Sequence, residues 1–359
     1  MMGELRLMKG NEVIAEAAIR AGVDGYFGYP ITPQSEVMET LMIRKPWEET
    51  GMVVLQAESE VASINMVYGG ASCGKKVMTS SSSPGYSLMQ EGISYLAGAE
   101  LPCVVVNVSR GGPGLGTIQP SQADYLQVTK GGGHGDYHVI ALAPNSVQEM
   151  NDFVALAFDL AFKYRIPAVI LSDGAIGQMM EKVELSDFVP RRTEEQIRKE
   201  CGDWCTLGSN RHNVVTSLEL DSTIMEERNV KLLKKYEEIS KNEVRYEEYM
   251  TEDAEYLFVA FGSCSRICKK SIEMAREKGI KVGLFRPITL FPFPTQQLKA
   301  LGQKMKGIMS VEMNAGQMVD DVRLAVECKV PVEFKGRNGG IIPSPDEVLE
   351  ALEEKLVRK

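Results

Sequence analysis

The stretch that decides the fold is CVVVNVSRGGPGLG, at residues 103–116. Its first six residues are almost entirely apolar and rich in valine, which favours strands. A strand that is apolar on both faces is typical of a parallel sheet covered by helices on both sides. Arg110 and a glycine-rich loop follow the strand directly. The stretch therefore predicts an α/β fold with a polar site beyond the strand's carboxyl end, where ligands bind in open α/β sheets.

Strand and helix patterns alternate on both sides of this stretch. Apolar residues recur with the spacing of one helical face at 10–21 and 146–163, whereas short apolar runs at 77–80 and 168–171 are typical of buried strands. A further strand is expected at 52–56, and residues 25–28 lead into a turn at 29–33. Helices are expected at 36–44, at 58–70 and from residue 85 to about 97. This alternation predicts a doubly wound parallel sheet in residues 1–180.

The composition changes near residue 181. Residues 181–251 are polar and strongly charged, and VKLLKKYEEISKNEVRYEEYM at 230–250 predicts a long, exposed helix in a connector. Alternation then resumes. Strands are expected at 256–261, 282–285 and 307–311, with helices at 265–278 and 346–356. Residues 252–359 are therefore predicted to form a second, smaller α/β domain.

Charge and cysteine content exclude several classes of function. The 359 residues carry a net charge of −9, which opposes binding to nucleic acid or to anionic lipid. No apolar run reaches the roughly 18 residues that a membrane span needs, and the first ten residues contain no apolar signal-peptide core. Seven cysteines, an odd number spread over the chain, argue against a disulfide framework. We expect a cytoplasmic protein with neither nucleic acid nor a membrane as partner.

Two cysteine pairs and one histidine pair have spacings that metal sites also use. The cysteine pairs are Cys201 with Cys205, and Cys264 with Cys268. Iron–sulfur ligation usually shows denser CxxC runs, so reduced structural thiols are the preferred interpretation. His134 and His138 are four residues apart, but they lie in GGGHGDYH, which is too rich in glycine to form a helix. We therefore expect a loop there and no metal bound to this chain.

Four polar features fall at the predicted carboxyl ends of strands in the first domain. They are the turn GYPITP at 28–33, the acidic pair Glu58 and Glu60, the serine run at 80–85, and Arg110 with its glycine loop. Each has a structural alternative: a helix entrance, a carboxylate at a helix N-terminus, a solvated loop, or a surface ion pair. GGPGLG is loosely spaced and is a weak dinucleotide fingerprint. Together the four features predict a small site with one carboxylate, one cation and several hydroxyls.

Long segments of the sequence also match a known family. The segments are GYPITPQSEVMETL at 28–41, QAESEVASINMVYGGASCGKK at 56–76 and RGGPGLGTIQPSQADY at 110–125. They resemble the alpha-type subunit of 2-oxoacid:ferredoxin oxidoreductases, most closely the branched-chain (2-oxoisovalerate) enzymes, and the similarity extends through FRPITLFPFP and SVEMNAGQM. The resemblance covers nearly the whole chain apart from the connector. It implies a thiamine diphosphate pyrimidine-binding fold followed by a domain that resembles the transketolase C-terminal domain.

The resemblance assigns a catalytic residue and two substrate-binding residues. The family's glutamate that contacts N1′ of the aminopyrimidine lies at a helix start nine residues before a glycine, which matches Glu60 and not Glu58. A carboxylate suits this place because a hydrogen bond to N1′ favours the imino tautomer that removes the C2 proton. The family's substrate-contacting threonine and arginine map to Thr32 and Arg110, a hydroxyl and a cation suited to a 2-oxoacid carboxylate.

The resemblance also places further residues beside the cofactor. The cofactor-binding residues implied, besides Glu60, are Tyr29, Pro30, Ser83 and Gly85. The last two lie in SSPG, which is similar to the SGPG loop of other thiamine enzymes. Ser83 stands where that pattern has glycine, and this departure affects how closely the backbone approaches the ring.

The chain is expected to hold only part of the cofactor. Thiamine enzymes usually anchor the diphosphate through Mg²⁺ with a GDG motif, and the sequence contains none. The resemblance implies that thiamine diphosphate is shared with a diphosphate-binding beta-type subunit, while Mg²⁺ and [4Fe–4S] clusters belong to partner subunits. Gamma-type and ferredoxin-like delta-type subunits are the other expected partners, with a 2-oxoacid, coenzyme A and ferredoxin as reactants. The glycine-rich residues 130–135 are a candidate interface loop.

Two alternatives to a branched-chain oxidoreductase subunit stay open. The substrate could be 2-oxoglutarate, because the subunits of that enzyme share the same core motifs. The chain could also be a scaffold that keeps the fold without the chemistry, although Thr32, Glu60 and Arg110 are all present. A transketolase-like transferase is less suitable, since it would need the diphosphate motif in the same chain.

Overall fold

Strands and helices alternate through most of the computed structural model, which describes residues 4–207 and 213–358. Within these ranges the strands are β1 (Glu4–Lys9), β2 (Gly25–Gly28), β3 (Val53–Gln56), β4 (Val77–Ser81), β5 (Cys103–Ser109), β6 (Ile140–Leu142), β7 (Pro167–Asp173), β8 (Met180–Leu185), β9 (Tyr246–Tyr249), β10 (Tyr256–Val259), β11 (Val282–Pro287), β12 (Thr289–Phe291), β13 (Gly307–Glu312) and β14 (Val332–Gly336).

The helices of the same ranges begin with α1 (Gly10–Arg20), α2 (Ser35–Arg44), α3 (Pro46–Glu49), α4 (Glu60–Ser72), α5 (Ser83–Leu88), α6 (Gln90–Gly98), α7 (Tyr125–Thr129) and α8 (Val147–Tyr164). They continue with α9 (Gly174–Gln178), α10 (Glu194–Cys201), α11 (Ser222–Asn242), α12 (Gly262–Glu277), α13 (Thr295–Gly302), α14 (Met318–Ala325) and α15 (Pro345–Leu352), which a π-helical turn, Glu353–Val357, extends. None of the helices in the described ranges is both long and apolar enough to cross a membrane.

The larger sheet has β5 near its centre, as the apolar run predicts. The order of its described strands is β12-β6-β7-β5-β4-β2-β3. β5 pairs in parallel with β4 and with β7, and every residue of β5 is buried. Val104 and Val106 face the core that α1 and α8 cover, whereas Cys103 and Val105 face the core that α4 and α6 cover. The predicted doubly wound α/β sheet is confirmed, with one antiparallel edge strand, β12, contributed from beyond residue 252.

The second half of the chain forms a smaller sheet with the order β14-β13-β10-β11-β9. β10 pairs in parallel with β11 and with β13, while β9 runs antiparallel to β11. Helices α12 and α15 cover one face. Cys264 and Cys268 lie on α12 inside this core, where burial raises the pKa of both thiols. A second, smaller α/β unit is therefore present, and these cysteines pack as buried thiols.

The segment 181–251 contains more regular structure than its charge pattern predicts. β8 pairs antiparallel with β1, and the sequence predicted neither strand. The helix predicted for residues 230–250 is wrong beyond Asn242, because β9 follows and joins the smaller sheet. Tyr246 of β9 stacks on Phe285 with ring centroids 5.1 Å apart, so packing between strands outweighs the helical charge pattern. Nor is α11 wholly exposed, since it buries Leu232, Tyr236 and Ile239.

The histidine and cysteine pairs whose spacing resembles that of metal ligands pack against other side chains. The loop with His134 and His138 is not helical, as its glycines predict. The imidazole of His138 stacks on Phe291 at 4.2 Å, and burial lowers its pKa. Cys201 and Cys205 are buried against Ile197. Across residues 4–207 and 213–358, no three His, Cys, Asp or Glu side chains are grouped as metal ligands.

Arg286 on β11 ties the two sheets together. Its side chain is 2% exposed. Nη1 donates to Glu149 Oε1 on α8 at 2.9 Å and to Glu247 Oε2 on β9 at 3.0 Å. Nη2 donates to the carbonyl of Ala143 at 3.1 Å and also to the Glu149 carboxylate. One buried cation thus donates hydrogen bonds to acceptors from both halves of the chain.

Replacing Arg286 by alanine is expected to lower the free energy of unfolding by about 3 kcal/mol, because Glu149 loses its buried cationic partner. Arg323→Ala is the matched control, since it removes an exposed pair with Asp320 and should cost less than about 1 kcal/mol. Urea unfolding followed by circular dichroism measures both losses. Equal losses in the two variants would contradict the structural role of Arg286.

Candidate active site

The carboxyl ends of β2, β4 and β5 lie at one edge of the larger sheet. β2 leads into the turn at residues 29–33, β4 leads into α5, and β5 leads into Arg110. The strands are parallel neighbours, so the segments that follow them share one side of the sheet. The N-terminus of α4 lies against α5 at the same edge.

Glu60 is the first residue of α4, and its carboxylate lies against Gly85 of α5. The helix starts here because the Ser59 hydroxyl accepts the amide hydrogen of Ala62 at 3.2 Å, a normal N-cap. Glu60 is 6% exposed, whereas Glu58 is exposed. A Cβ on residue 85 would lie 2.8 Å from the carboxyl carbon of Glu60, and closer still to its Oε1. The structure therefore brings Glu60 rather than Glu58 into the site.

Several polar groups around Glu60 have no partner in the described part of the chain. Within residues 4–207 and 213–358, the Glu60 carboxylate forms no hydrogen bond and no ion pair, although Ser81 Oγ lies on the same side of Gly85. The hydroxyls of Ser81 and Ser82 are buried and also unpartnered within those ranges. Buried polar groups are normally hydrogen-bonded, so this cluster indicates a polar ligand. An aminopyrimidine ring fits it, because the ring offers donors to a carboxylate and acceptors to hydroxyls.

Arg110 is buried at the end of β5 and is held by backbone carbonyls. It is 9% exposed. Nη1 donates to the carbonyl of Thr32 at 2.9 Å, and Nη2 donates to the carbonyl of Leu115 at 2.8 Å. Nε is buried without a partner in the described residues. The contact brings Arg110 and Thr32 together, as the sequence predicts, and leaves guanidinium hydrogens free for an anion.

The turn that carries Tyr29, Pro30 and Thr32 is held from inside by Gln34. The three turn residues are exposed, whereas Gln34 is fully buried. Gln34 Nε2 donates to the Tyr29 carbonyl at 3.3 Å, and its Oε1 accepts from Ser80 Oγ at 2.6 Å. The sequence analysis did not identify Gln34. The available signal was a polar glutamine directly between the YPITP turn and the start of α2.

A second missed residue, Asp124, lies behind Arg110. Its Oδ2 accepts hydrogen bonds from Ser83 Oγ at 2.6 Å and from Asn107 Nδ2 at 2.9 Å. Burial raises the pKa of the Asp124 carboxyl, although these hydrogen bonds and the charge of Arg110 favour its ionised form. No spacing or motif in the sequence singles this aspartate out.

A cavity of about 590 Å³ opens beside Arg110, between the two sheets. One wall contains Ser83, Arg110 and the glycine loop, and the other contains Asn314, Gln317 and Asn338. Among the described residues that line it, Arg110 is the sole cation and Asp124 the sole anion. The site can therefore accept a small molecule with one carboxylate next to the Glu60 cluster.

Two family models match the chain. The model described as "Pyruvate flavodoxin/ferredoxin oxidoreductase, thiamine diP-bdg" matches residues 16–248, and the model for core domain II of pyruvate:ferredoxin oxidoreductase matches residues 254–348. The chain belongs to this oxidoreductase family. The subunit VorB of ketoisovalerate oxidoreductase from Methanothermobacter marburgensis is 50% identical over 97% of this chain and 97% of that protein. The subunit KorA of 2-oxoglutarate synthase from Methanocaldococcus jannaschii is 39% identical over 97% and 99%.

Solved structures agree with the fold of the oxidoreductase chain. A 2-oxoglutarate:ferredoxin oxidoreductase from Magnetococcus marinus, solved with 2-oxoglutarate, coenzyme A and succinyl-CoA, superposes with a TM-score of 0.84 at 25% identity. The match covers 98% of this chain and 65% of that one. A split-gene transketolase, an inactive tetramer, superposes with a TM-score of 0.62 at 12% identity and covers 98% of both chains. The transketolase-like fold predicted from the sequence is thus confirmed.

Gly85→Ala in the oxidoreductase chain is expected to weaken thiamine diphosphate binding by at least about tenfold, because the new methyl group displaces the Glu60 carboxylate. Gly69→Ala is the matched control, since a Cβ at Gly69 on α4 would meet nothing within 4 Å. Calorimetric titration of the cofactor into the complex with its partner subunits measures both affinities. If the two variants bind with equal affinity, the close packing at Gly85 does not shape the cofactor site.

Proposed function

We propose that this chain is the subunit of a 2-oxoacid:ferredoxin oxidoreductase that holds the aminopyrimidine end of thiamine diphosphate. The complex would oxidatively decarboxylate a branched-chain 2-oxoacid, 2-oxoisovalerate, to the acyl-CoA and reduce ferredoxin. One observation carries the proposal: the buried Glu60 carboxylate lies against Gly85 with no partner of its own in the described chain. A carboxylate left unpaired in this way is suited to bind a ring nitrogen.

Glu60 would act as the acid–base group of the cofactor site. When bound, thiamine diphosphate supplies an acidic carbon and an electron sink for decarboxylation. The part of Glu60 is to share a proton with N1′ of the ring, and its burial keeps water from competing for that hydrogen bond. Gly85 leaves room for the carboxylate, and the turn with Tyr29 and Pro30 would border the ring together with Ser83. These roles are proposed from the positions of the residues around the Glu60 carboxylate.

Arg110 and Thr32 would bind the carboxylate of the 2-oxoacid. The guanidinium is buried and aimed by two carbonyls, so its remaining hydrogens are oriented before the substrate arrives. A charge-assisted hydrogen bond in such a buried site is stronger than one in water. The Thr32 hydroxyl lies on the residue whose carbonyl Arg110 contacts, and it would donate a second hydrogen bond.

The lining of the cavity favours a branched-chain substrate over 2-oxoglutarate. A distal carboxylate needs a second cation, and Arg110 is the single cation among the described lining residues. Asp124 in the same lining would repel that carboxylate. The greater identity to the ketoisovalerate relative than to the 2-oxoglutarate synthase relative points the same way. 2-Oxoglutarate is the second candidate, because the 2-oxoglutarate synthase subunit matches over 99% of its length and the solved 2-oxoglutarate:ferredoxin oxidoreductase shares the fold.

The remaining functions would belong to partner subunits. The sequence has no GDG motif, so a beta-type subunit is proposed to bind the diphosphate and Mg²⁺. Gamma-type and ferredoxin-like delta-type subunits would supply coupling and the [4Fe–4S] clusters. We propose the cytoplasm as the location, which suits a chain whose seven cysteines are all free thiols.

The substrate assignment predicts an order of activities. The complex with its partner subunits should oxidise 2-oxoisovalerate at least about tenfold more efficiently than 2-oxoglutarate, since an unpaired buried carboxylate costs more than 1.4 kcal/mol. Pyruvate should also be a poorer substrate, because it leaves the space for a branched side chain empty. Reduction of a viologen dye with coenzyme A present measures all three. Equal or greater activity on 2-oxoglutarate would overturn the branched-chain assignment.

The role of Glu60 predicts a loss that is specific to this position. Glu60→Gln in the complex should lower turnover of the 2-oxoacid by about a hundredfold or more, the size of effect typical for an acid–base group. Glu58→Gln, two residues away and exposed, is the matched control and should stay within about threefold of the parent. Steady-state rates at saturating cofactor measure both. Full activity of Glu60→Gln would favour the scaffold alternative.

A further inference from the structure

Asp124 is a buried carboxylate that takes no part in the proposed acid–base chemistry or in binding the substrate carboxylate, and a single hydroxyl links it to Arg110. The backbone amide of Arg110 donates to Ser83 Oγ at 2.9 Å, and Ser83 Oγ donates to Asp124 Oδ2 at 2.6 Å. Asp124 is 6% exposed. The three residues form a directed chain of hydrogen bonds that starts at the proposed substrate-binding arginine.

We infer that Asp124 is a positioning residue for Arg110: through Ser83, it fixes the backbone from which the guanidinium reaches the substrate carboxylate. The inference rests on the proposed role of Arg110 in binding that carboxylate. It adds a residue fourteen positions beyond Arg110 that is not itself expected to touch substrate or cofactor.

The direction of the chain follows from the chemistry of the hydroxyl. A serine has one proton to donate and lone pairs to accept with. The Arg110 carbonyl is another possible acceptor at 3.2 Å, but the Asp124 carboxylate is closer and charged. Donation to Asp124 therefore leaves a lone pair of Ser83 facing the Arg110 amide. Without the carboxylate, the hydroxyl would turn to the carbonyl, and the amide would lose its fixed acceptor.

Asp124 lies on a segment, residues 121–126, that forms hydrogen bonds with the second half of the chain. The backbone amide of Gln122, two residues before Asp124, donates to the Met313 carbonyl at 2.9 Å. On the other side, Gln317 Nε2 donates to the Ala123 carbonyl at 2.8 Å, and Gln317 Oε1 accepts from the Leu126 amide at 2.9 Å. Asn107 fixes the carboxylate from β5. The carboxylate cannot follow Ser83 if the serine moves, so it acts as a fixed anchor.

The test separates substrate binding from turnover in the complete complex. Asp124→Ala should raise the KM for 2-oxoisovalerate by about tenfold while kcat stays within about threefold, because the arginine is misplaced before the chemistry begins. Asp124→Asn keeps an oxygen that can accept from Ser83, so its KM should recover to within about threefold of the parent. Asp320→Ala, which removes an exposed aspartate, is the matched control. Ser83→Ala, assayed at saturating cofactor, breaks the same link and should match Asp124→Ala.

Three outcomes would overturn the inference. They are a parental KM in both Asp124→Ala and Ser83→Ala, a loss confined to kcat, or an asparagine variant as impaired as the alanine variant. Hydrogen–deuterium exchange of the complex gives a readout that needs no turnover: the amide of Arg110 should exchange at least about tenfold faster in Asp124→Ala. If the parent complex oxidises no 2-oxoacid, the proposed function fails, and unchanged exchange at Arg110 would then refute the positioning link separately.

Discussion

The close approach of α5 to the start of α4 is the constraint on which the rest of the site depends. Gly85 permits it, because a Cβ there would strike the Glu60 carboxylate. Gly92 permits a similar approach of the next helix, α6, to α4, since a Cβ there would lie 2.5 Å from Cγ2 of Ile64. Because α5 packs this closely on the start of α4, the Glu60 carboxylate is largely buried. The site therefore gains a largely buried carboxylate at the edge of the sheet where the turn of β2 and the end of β5 also lie.

The second half of the chain is a structural part of this site rather than an independent attachment. Glu312 is fully buried, and it accepts the backbone amides of Gln317, Met318 and Val319 at the start of α14. A carboxylate at a helix N-terminus is favourable, and here it also fixes the loop before the helix. That loop grips residues 121–126 and forms one wall of the cavity beside Arg110. A change in the second half can therefore alter substrate binding without touching the substrate.

The elements that the sequence predicted well are those set by local patterning. The apolar run of β5 and the helical faces of α1 and α8 appear where expected, because their burial follows directly from period and composition. β1, β8 and β9 were not predicted, because their residues are mostly exposed or half-buried, include charged side chains and lack the buried apolar run that marks β5. Glu60, Thr32 and Arg110 were found through motif resemblance. Gln34 and Asp124 lie within the same motif segments but were not identified, because their roles depend on contacts with Ser80 and Ser83 that appear only when the chain is folded.

The glycines at residues 130–135 illustrate the same limit. Gly133 packs against the backbone of Gln90, and a Cβ on Gly133 would lie only 2.9 Å from Cβ of Ser94. The backbone amide of Gly133 donates to the Tyr137 hydroxyl. Close packing within the chain accounts for Gly132 and Gly133, whereas a Cβ at Gly135 would meet nothing within 4 Å. Contact of this loop with a partner subunit stays a prediction. The polar groups around Glu60 differ from these glycines, because they need a hydrogen-bond partner from outside the chain. The hydroxyls of Ser81 and Ser82 are buried without partners in the described residues, and the Glu60 carboxylate beside them forms no hydrogen bond within those residues. An unpaired buried hydroxyl costs roughly 1–3 kcal/mol, so a ligand that pairs with both hydroxyls and with the carboxylate would bind favourably and stabilise the folded chain.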